Sequence, residues 1–108
     1  MKQADWDNAI ATLRKAIDIN PDFPESYYNL AGAEERAGLL TEAEADYRTA
    51  ISLSPYNADA KAALATLLYN QHRIPESAEL LKSALAINQE NSIGLALLRK
   101  MQMDGVVR

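Results

Sequence analysis

The sequence contains no cysteine and only one histidine, His72, among its 108 residues. The absence of thiols excludes disulfide bonds and thiolate metal sites, and a lone histidine has no second imidazole with which to build a metal or catalytic site. Glycine and proline are scarce, with four of each, which favours long helices over a strand-rich fold. These absences predict a helical protein without disulfides, metal or cofactor.

Basic residues are also in short supply: 11 Lys and Arg stand against 15 Asp and Glu, for a net charge of −4. Nucleic acids and anionic membrane surfaces are bound largely through clustered basic residues, so both partners are disfavoured. No apolar run approaches the roughly 20 residues that a membrane-spanning helix needs, and the opening MKQADWDNAI has no signal-peptide core. We therefore expect no nucleic-acid partner, no membrane insertion and a cytoplasmic location.

One short phrase occurs three times in the chain. AIDINPD begins at Ala16, AISLSPY at Ala50 and ALAINQE at Ala84, so 34 residues separate each copy from the next. A fixed period of 20 to 50 residues is typical of stacked supersecondary units, in which each unit needs its neighbours to complete a core. The sequence therefore predicts a repeat protein.

Hydrophobic spacing and helix-ending residues predict six helices. Gly38 and His72, also 34 residues apart, fit the left-handed position that follows a helix, and Thr41 with Glu44 resembles a capping box. The first helix carries its apolar residues on one stripe: Ala9, Ile10, Leu13, Ala16 and Ile17. The expected helices run from Asp5 to Ile19, Pro24 to Ala37, Thr41 to Leu53, Asn57 or Ala58 to Gln71, Pro75 to Ile87, and Asn91 or Ser92 to Met103.

This spacing resembles the tetratricopeptide repeat (TPR). In the middle copy the resemblance is carried by Tyr27, Leu30, Ala31, Gly38, Ala43, Tyr47, Ala50 and Pro55, and in the next copy by Leu64, Ala65, Ser77, Leu81 and Ala84. Departures from the pattern are Glu34 and Lys61, where an aromatic is usual, and Gln89, where proline is usual. The resemblance implies an all-α, right-handed α-solenoid of helical hairpins, in one domain made of a half repeat (1–23), two full repeats (24–57 and 58–91) and a half repeat or capping helix (92–108).

No arrangement of residues predicts catalysis. The four glycines are isolated, so no phosphate-binding loop is present. The acids Glu34, Glu35, Glu42, Glu44 and Asp46 have helical spacing, which is typical of solvated helix faces rather than of an acid–base pair. The sequence therefore predicts a protein that is not an enzyme.

The resemblance implies that the first helix of each hairpin lines a concave groove for a partner peptide or helix. Tyr28 and Tyr69 are the expected anchors, because tyrosine is enriched at binding hot spots; the alternative for each is burial between helices. The implied groove residues are Glu25, Tyr28, Asn29, Gly32, Glu35 and Arg36, then Asp59, Ala62, Ala63, Thr66, Tyr69 and Asn70, and finally Ile93, Ala96, Leu97 and Lys100.

Charge narrows the class of partner. Some TPR proteins grip a C-terminal carboxylate with Lys, Asn and Arg at groove positions, and only Asn29 matches that set. Glu25, Asp59 and Ala63 occupy places where basic residues would be needed. We therefore expect a protein or peptide partner that is neutral or basic.

The incomplete repeats at the two ends suggest an alternative function. Ala9, Leu13 and Ala16 lack a first helix to cover them, and Leu95 and Leu98 lack a second. These two surfaces could complete each other between copies of the chain, as a self-association module that forms a ring or a filament. Arg99 and Gln102 instead favour a capping helix with a solvated face, and Val106 and Val107 could cover it locally. A further alternative is an accessory segment of a larger protein or enzyme.

Overall fold

The computed structural model describes residues 3–107, with side chains from Asp5 onward. All regular structure in this part of the chain is α-helical, as the sequence predicts. The helices are α1 (Gln3–Ile19), α2 (Pro24–Arg36), α3 (Leu40–Leu53), α4 (Ala58–Asn70), α5 (Ile74–Ile87) and α6 (Ser92–Met103). The chain divides into two compact units, one ending at Pro55 and the other beginning at Tyr56.

Helices α2, α4 and α6 end in the same hydrogen-bonded turn. A residue with positive φ follows each of them: Gly38 (84°), His72 (64°) and Gly105 (78°). In each turn two backbone N–H groups return to carbonyl oxygens of the last helical turn. For α2 these are Gly38 N to Glu35 O, at 3.1 Å, and Leu39 N to Glu34 O, at 2.8 Å. This is the Schellman motif, and it satisfies carbonyls that a helix end would otherwise leave unpaired.

The helix starts follow the prediction only in part: α1 begins at Gln3 rather than Asp5, and α5 begins at Ile74 rather than Pro75. Asn57 and Asn91 cap α4 and α6: their side-chain oxygens accept from Ala60 N at 3.1 Å and Gly94 N at 2.8 Å. The expected capping box of Thr41 and Glu44 is wrong, because α3 begins at Leu40 and Leu39 precedes it without a side-chain cap. The turn after α2 already fixes Leu39, so Thr41 falls inside the first turn of α3.

In the first unit, α2 packs against both α1 and α3. Ala31 and Ala43 are fully buried between α2 and α3, where two small side chains let the helices approach closely. Between α1 and α2 the core contains Ile10 and Leu30. Burial of each such side chain contributes roughly 1.5–3 kcal/mol.

The expected apolar stripe on α1 is only partly covered. Ile10 is buried, and Ala9, Leu13 and Ile17 are half-buried against α2. Ala16, predicted to be part of the same stripe, is exposed. Ala16 is exposed because, among the described helices, α2 is the one that packs on α1, and it leaves part of the stripe uncovered.

In the second unit, α4 packs against α5, and α6 packs against both. Ser77 takes the small-residue place opposite Ala65, and its Oγ donates to the Ala65 carbonyl oxygen at 2.7 Å. The hydroxyl is therefore satisfied although it is fully buried. The core cluster of this unit consists of Ala65, Tyr69, Leu81, Leu97 and Met101.

Candidate functional site

A cleft of about 580 Å³ opens beside α1 and α2 in the first unit. Its walls combine apolar and aromatic side chains with a few polar groups, as small binding sites usually do. We call it the α1–α2 cleft; it is lined by Trp6, Ala9, Leu13, Tyr28, Asn29, Gly32, Ala33, Glu35, Arg36 and Tyr47.

Contacts among its own side chains hold the aromatic part of this cleft in place. The Tyr28 ring meets the Tyr47 ring edge to face, with centroids 5.9 Å apart. The Tyr47 hydroxyl donates to Glu35 Oε1 at 2.9 Å. Burial, and then the neighbouring Glu35 carboxylate, raise the pKa of Tyr47 above its usual range, so the hydroxyl remains a donor.

The rim of the cleft pairs a cation with an aromatic ring. The guanidinium carbon of Arg36 lies 5.4 Å from the centroid of the Trp6 ring, within the range of a cation–π interaction. Arg36 itself is exposed. One wall of the cleft therefore presents a positive charge that α1 helps to position.

The cleft brings together residues that the sequence assigned to two different roles. Five of the predicted groove residues line it: Tyr28, Asn29, Gly32, Glu35 and Arg36. Ala9 and Leu13 of α1, assigned to self-association, line it as well. Glu25 is exposed at the first turn of α2 and is not among the lining residues. Trp6 was missed, although its spacing from Ala9, Ile10 and Leu13 continues the helical stripe.

A second cleft of about 400 Å³ lies beside α4 and α6 in the other unit. Its lining includes five predicted groove residues: Thr66, Ile93, Ala96, Leu97 and Lys100. Asp59 and Asn70 are exposed, but both already have partners. Asn91 Nδ2 donates to Asp59 Oδ1 at 2.6 Å, and Lys100 Nζ donates to Asn70 Oδ1 at 3.0 Å. Ala63 is half-buried on α4.

Three predicted groove residues of the second unit belong to its buried core, although Leu97 also lines the second cleft. Ala62 and Leu97 are buried, and Tyr69 is only 7% exposed. The Tyr69 hydroxyl donates to Asp104 Oδ2 at 2.6 Å, and Lys100 Nζ lies 5.6 Å from the ring centroid. The hydrogen bond to Asp104, followed by burial, raises the pKa of Tyr69. For Tyr69 the structure has the alternative given in the sequence analysis, burial between helices, and Ala62 and Leu97 likewise expose little surface to a partner.

The expected self-association surface on α6 is also smaller than predicted. Leu95 is 38% exposed, whereas Leu98 packs against the core cluster of its unit together with Val107. The local cover expected from the C-terminal valines therefore involves Val107, while Val106 is exposed.

The sequence also misassigned Glu34, which was expected on a solvated face. Glu34 is only 1% exposed, and burial, followed by the nearby Asp46, raises the pKa of its carboxyl to about 8. Arg14 Nη2 lies 3.4 Å from Glu34 Oε2. The signal that could have identified this position is the TPR pattern itself, which usually has an aromatic residue here.

Residues 3–107 lack two further classes of site. No group of three or more His, Cys, Asp or Glu side chains there is arranged to hold a metal ion. No helix among them combines the length and the hydrophobicity that crossing a membrane requires.

Comparison with solved structures identifies the same helix arrangement in known domains. The first TPR of Spaghetti (RPAP3), solved with the HSP90 peptide SRMEEVD, is 23% identical, with a TM-score of 0.85 over 97% of this chain and 83% of that one. The Arabidopsis OM64 TPR domain is 22% identical, with a TM-score of 0.85 over 94% and 84%. YrrB, a TPR protein with an unusual peptide-binding site, is 19% identical, with a TM-score of 0.80 over 87% and 48%. No curated protein matches the sequence.

These structures confirm the all-α helical-repeat fold and define the chain as a helical-repeat protein. Two tetratricopeptide-repeat models match the sequence, one over residues 1–58 and the other over residues 36–101. The chain therefore belongs to the tetratricopeptide-repeat family. As a member of that family it is a protein–protein interaction module.

Proposed function

We propose that this chain is a non-catalytic scaffold that binds a partner peptide or helix in the α1–α2 cleft. The observation that carries the proposal is the composition of that cleft: its lining combines the aromatic rings of Trp6 and Tyr28 with apolar and polar side chains. Aromatic anchors in a preformed groove are typical of peptide and helix recognition. Because the Tyr28–Tyr47 and Trp6–Arg36 contacts already exist, little ordering would be needed on binding.

We further propose that the partner is neutral or basic. Within the lining, the carboxylate of Glu35 offsets the guanidinium of Arg36, and Glu25 adds a negative charge at the start of the same helix. The peptide SRMEEVD, which the RPAP3 domain binds, ends in acidic residues and a carboxylate. This chain has Glu25 where a carboxylate-binding site would need a cation, so we expect it to bind that peptide weakly or not at all.

A displayed random-peptide library, selected on the immobilised chain, tests the proposal. Selected peptides would be synthesised and titrated by fluorescence anisotropy against the wild type, Tyr28→Ala and Gly32→Gln. A Cβ at Gly32 would come no closer than 4.0 Å to the Tyr47 hydroxyl, so Gly32→Gln should fill the cleft without disturbing the helix. We expect both variants to weaken binding at least about tenfold, equivalent to about 1.4 kcal/mol.

Tyr56→Ala is the matched control, because Tyr56 is 83% exposed and lies outside the cleft. Peptides that bind all four proteins equally, or a selection that yields no peptide, would remove the α1–α2 cleft as the site. SRMEEVD titrated in the same assay examines the charge preference. Binding of that peptide as tight as the selected ones would contradict a neutral or basic partner.

A second candidate function is self-association. It is favoured by Leu95, exposed on α6, and by Ala9 and Leu13, which line an open cleft on α1. Light scattering from low to high micromolar concentration would detect it, with Leu95→Lys as the variant expected to reduce the mean mass. A constant monomer mass over the whole range would exclude this function.

A further inference from the structure

A separate pocket of about 460 Å³ lies among α1, α2 and α3 of the first unit. It shares no lining residue with the α1–α2 cleft. We call it the acid pocket because four of its residues are carboxylic acids. Its lining consists of Arg14, Ile17 and Asp18 of α1, Tyr27, Leu30 and Glu34 of α2, and Glu42, Ala45 and Asp46 of α3.

Glu34 is the buried polar group of this pocket, and one of its oxygens is unsatisfied. Arg14 Nη2 lies 3.4 Å from Oε2, a long contact made by a side chain that is itself 56% exposed. Oε1 is buried and has no hydrogen-bond partner. A buried polar atom without a partner is unfavourable, and few occur in native proteins.

The rest of the lining fits an elongated cationic side chain. Asp18, Glu42 and Asp46 add three carboxyl groups to Glu34, and the cation among the lining residues is Arg14. Ile17, Leu30 and Ala45 provide an apolar surface beside them. Lysine and arginine have this combination of an apolar stem and a charged head with several N–H donors.

We propose that the acid pocket binds the guanidinium or ammonium head of an arginine or lysine side chain from a partner protein. The N–H groups of the head donate to Glu34 Oε1 and to the Asp46 carboxylate, while the stem lies against Ile17 and Leu30. Arg14 does not take this place, because its contact with Glu34 is to Oε2. The pocket would therefore be a second point of attachment, independent of the α1–α2 cleft.

Binding at this site is coupled to a proton. Without a ligand, burial and then the neighbouring Asp46 raise the pKa of Glu34 to about 8, so Glu34 holds a proton at neutral pH. The other charged groups that line the pocket are Arg14 and Asp18 from α1 and Glu42 from α3. A cation that donates to Glu34 favours the carboxylate, so binding releases the proton.

The test uses the full chain labelled with ¹³C and follows the Glu34 carboxyl carbon by NMR as pH is varied. The probe is a Gly-Ser peptide with one central arginine, and the matched control has citrulline, the neutral analogue, in its place. We expect the arginine peptide to lower the titration midpoint of Glu34 by about one pH unit or more. Between the midpoint of the complex and that of the free protein, its affinity should increase with pH by up to about tenfold per pH unit, because one proton leaves as the peptide binds.

Glu34→Gln should abolish the pH dependence of binding, and Asp46→Asn should weaken binding at high pH. Free propylguanidinium at the same concentration distinguishes binding of a partner's side chain from binding of a small guanidinium molecule. A response to propylguanidinium without one to the peptide would overturn the assignment to a partner side chain. A Glu34 midpoint that saturating arginine peptide leaves unchanged, or that citrulline peptide shifts equally, would overturn the site.

Discussion

Glu34 shows how one substitution in a repeat pattern changes the chemistry of a helix interface. The TPR pattern usually has an aromatic residue at this position, whereas this chain has a carboxyl that is 1% exposed. The buried acid is neutral below a pKa of about 8, and ionising it requires placing a charge in a poorly solvated site. Stability should therefore depend on pH through this residue.

We predict that the free energy of unfolding decreases between about pH 4.5 and pH 8 because of Glu34. In this range the folded state retains a proton that the unfolded chain has lost, so raising the pH favours unfolding by up to about 1.4 kcal/mol per pH unit. Glu34→Gln cannot ionise, and it should be more stable than the wild type at pH 8 by at least about 1 kcal/mol. Urea denaturation at a series of pH values measures this difference.

Glu79→Gln is the control for this prediction, because Glu79 is exposed on α5. Its stability should follow the wild-type pH dependence. If Glu34→Gln and Glu79→Gln have parallel profiles, Glu34 is not the residue responsible.

Single residues were the least predictable part of this protein. Spacing placed Glu34 and Glu35 together on one helix, but it could not tell that α1 and α3 bury the first, while the second accepts a hydrogen bond from Tyr47. In the same way, Tyr69 is exposed or buried according to where α6 packs. Both outcomes depend on tertiary contacts, which helical periodicity does not encode.

At the scale of elements, the helix ends were more predictable than the helix starts. Gly38 and His72 were expected to have left-handed backbone conformations, and both do. That expectation depends on which residues tolerate a left-handed backbone conformation, a local preference that can be read directly from the sequence. The wrong capping box at Thr41 depended on the exact first residue of α3, which the preceding turn shifted to Leu40.

We predict that His72→Gly and Gly38→His, at the two equivalent turn positions, change the stability of the protein in opposite directions. A left-handed conformation disfavours a non-glycine residue by roughly 1–2 kcal/mol, and the extra freedom of glycine in the unfolded chain offsets about half of this. His72→Gly should therefore stabilise the protein by about 0.5–1 kcal/mol, and Gly38→His should destabilise it by a similar amount. Urea midpoints of both variants measure the effect; a less stable His72→Gly would contradict it.

Close approach of α2 and α3 is a second feature that can be tested at this scale. Ala43 is fully buried against α2, whereas Ala45, two residues along the same helix, is exposed. Ala43→Leu adds three carbons to a filled interface and should lower the free energy of unfolding by about 1–3 kcal/mol. Ala45→Leu should change it by less than about 0.5 kcal/mol. Equal effects of the two substitutions in thermal unfolding would show that the interface has room for a larger side chain.

At the scale of the whole molecule, each compact unit has a hydrophobic cluster of its own. Ile10 and Leu30 belong to the first unit, and Leu81, Leu97 and Met101 belong to the second. The 34-residue period predicted the repeated helices correctly, because each copy carries the same small and large core residues. The period by itself does not specify where the chain divides into compact units, which in the structure is between Pro55 and Tyr56.

The separate clusters lead to a prediction about local opening. Leu30 and Leu64 are both buried, and replacing either with alanine should destabilise its surroundings by about 2–5 kcal/mol. In repeat proteins a local loss of stability is shared mainly with nearest neighbours. Leu30→Ala should therefore accelerate amide hydrogen exchange in α1, α2 and α3 more than in α4, α5 and α6, and Leu64→Ala should do the reverse. Equal acceleration of all six helices by both variants would instead mean that the two units open as one.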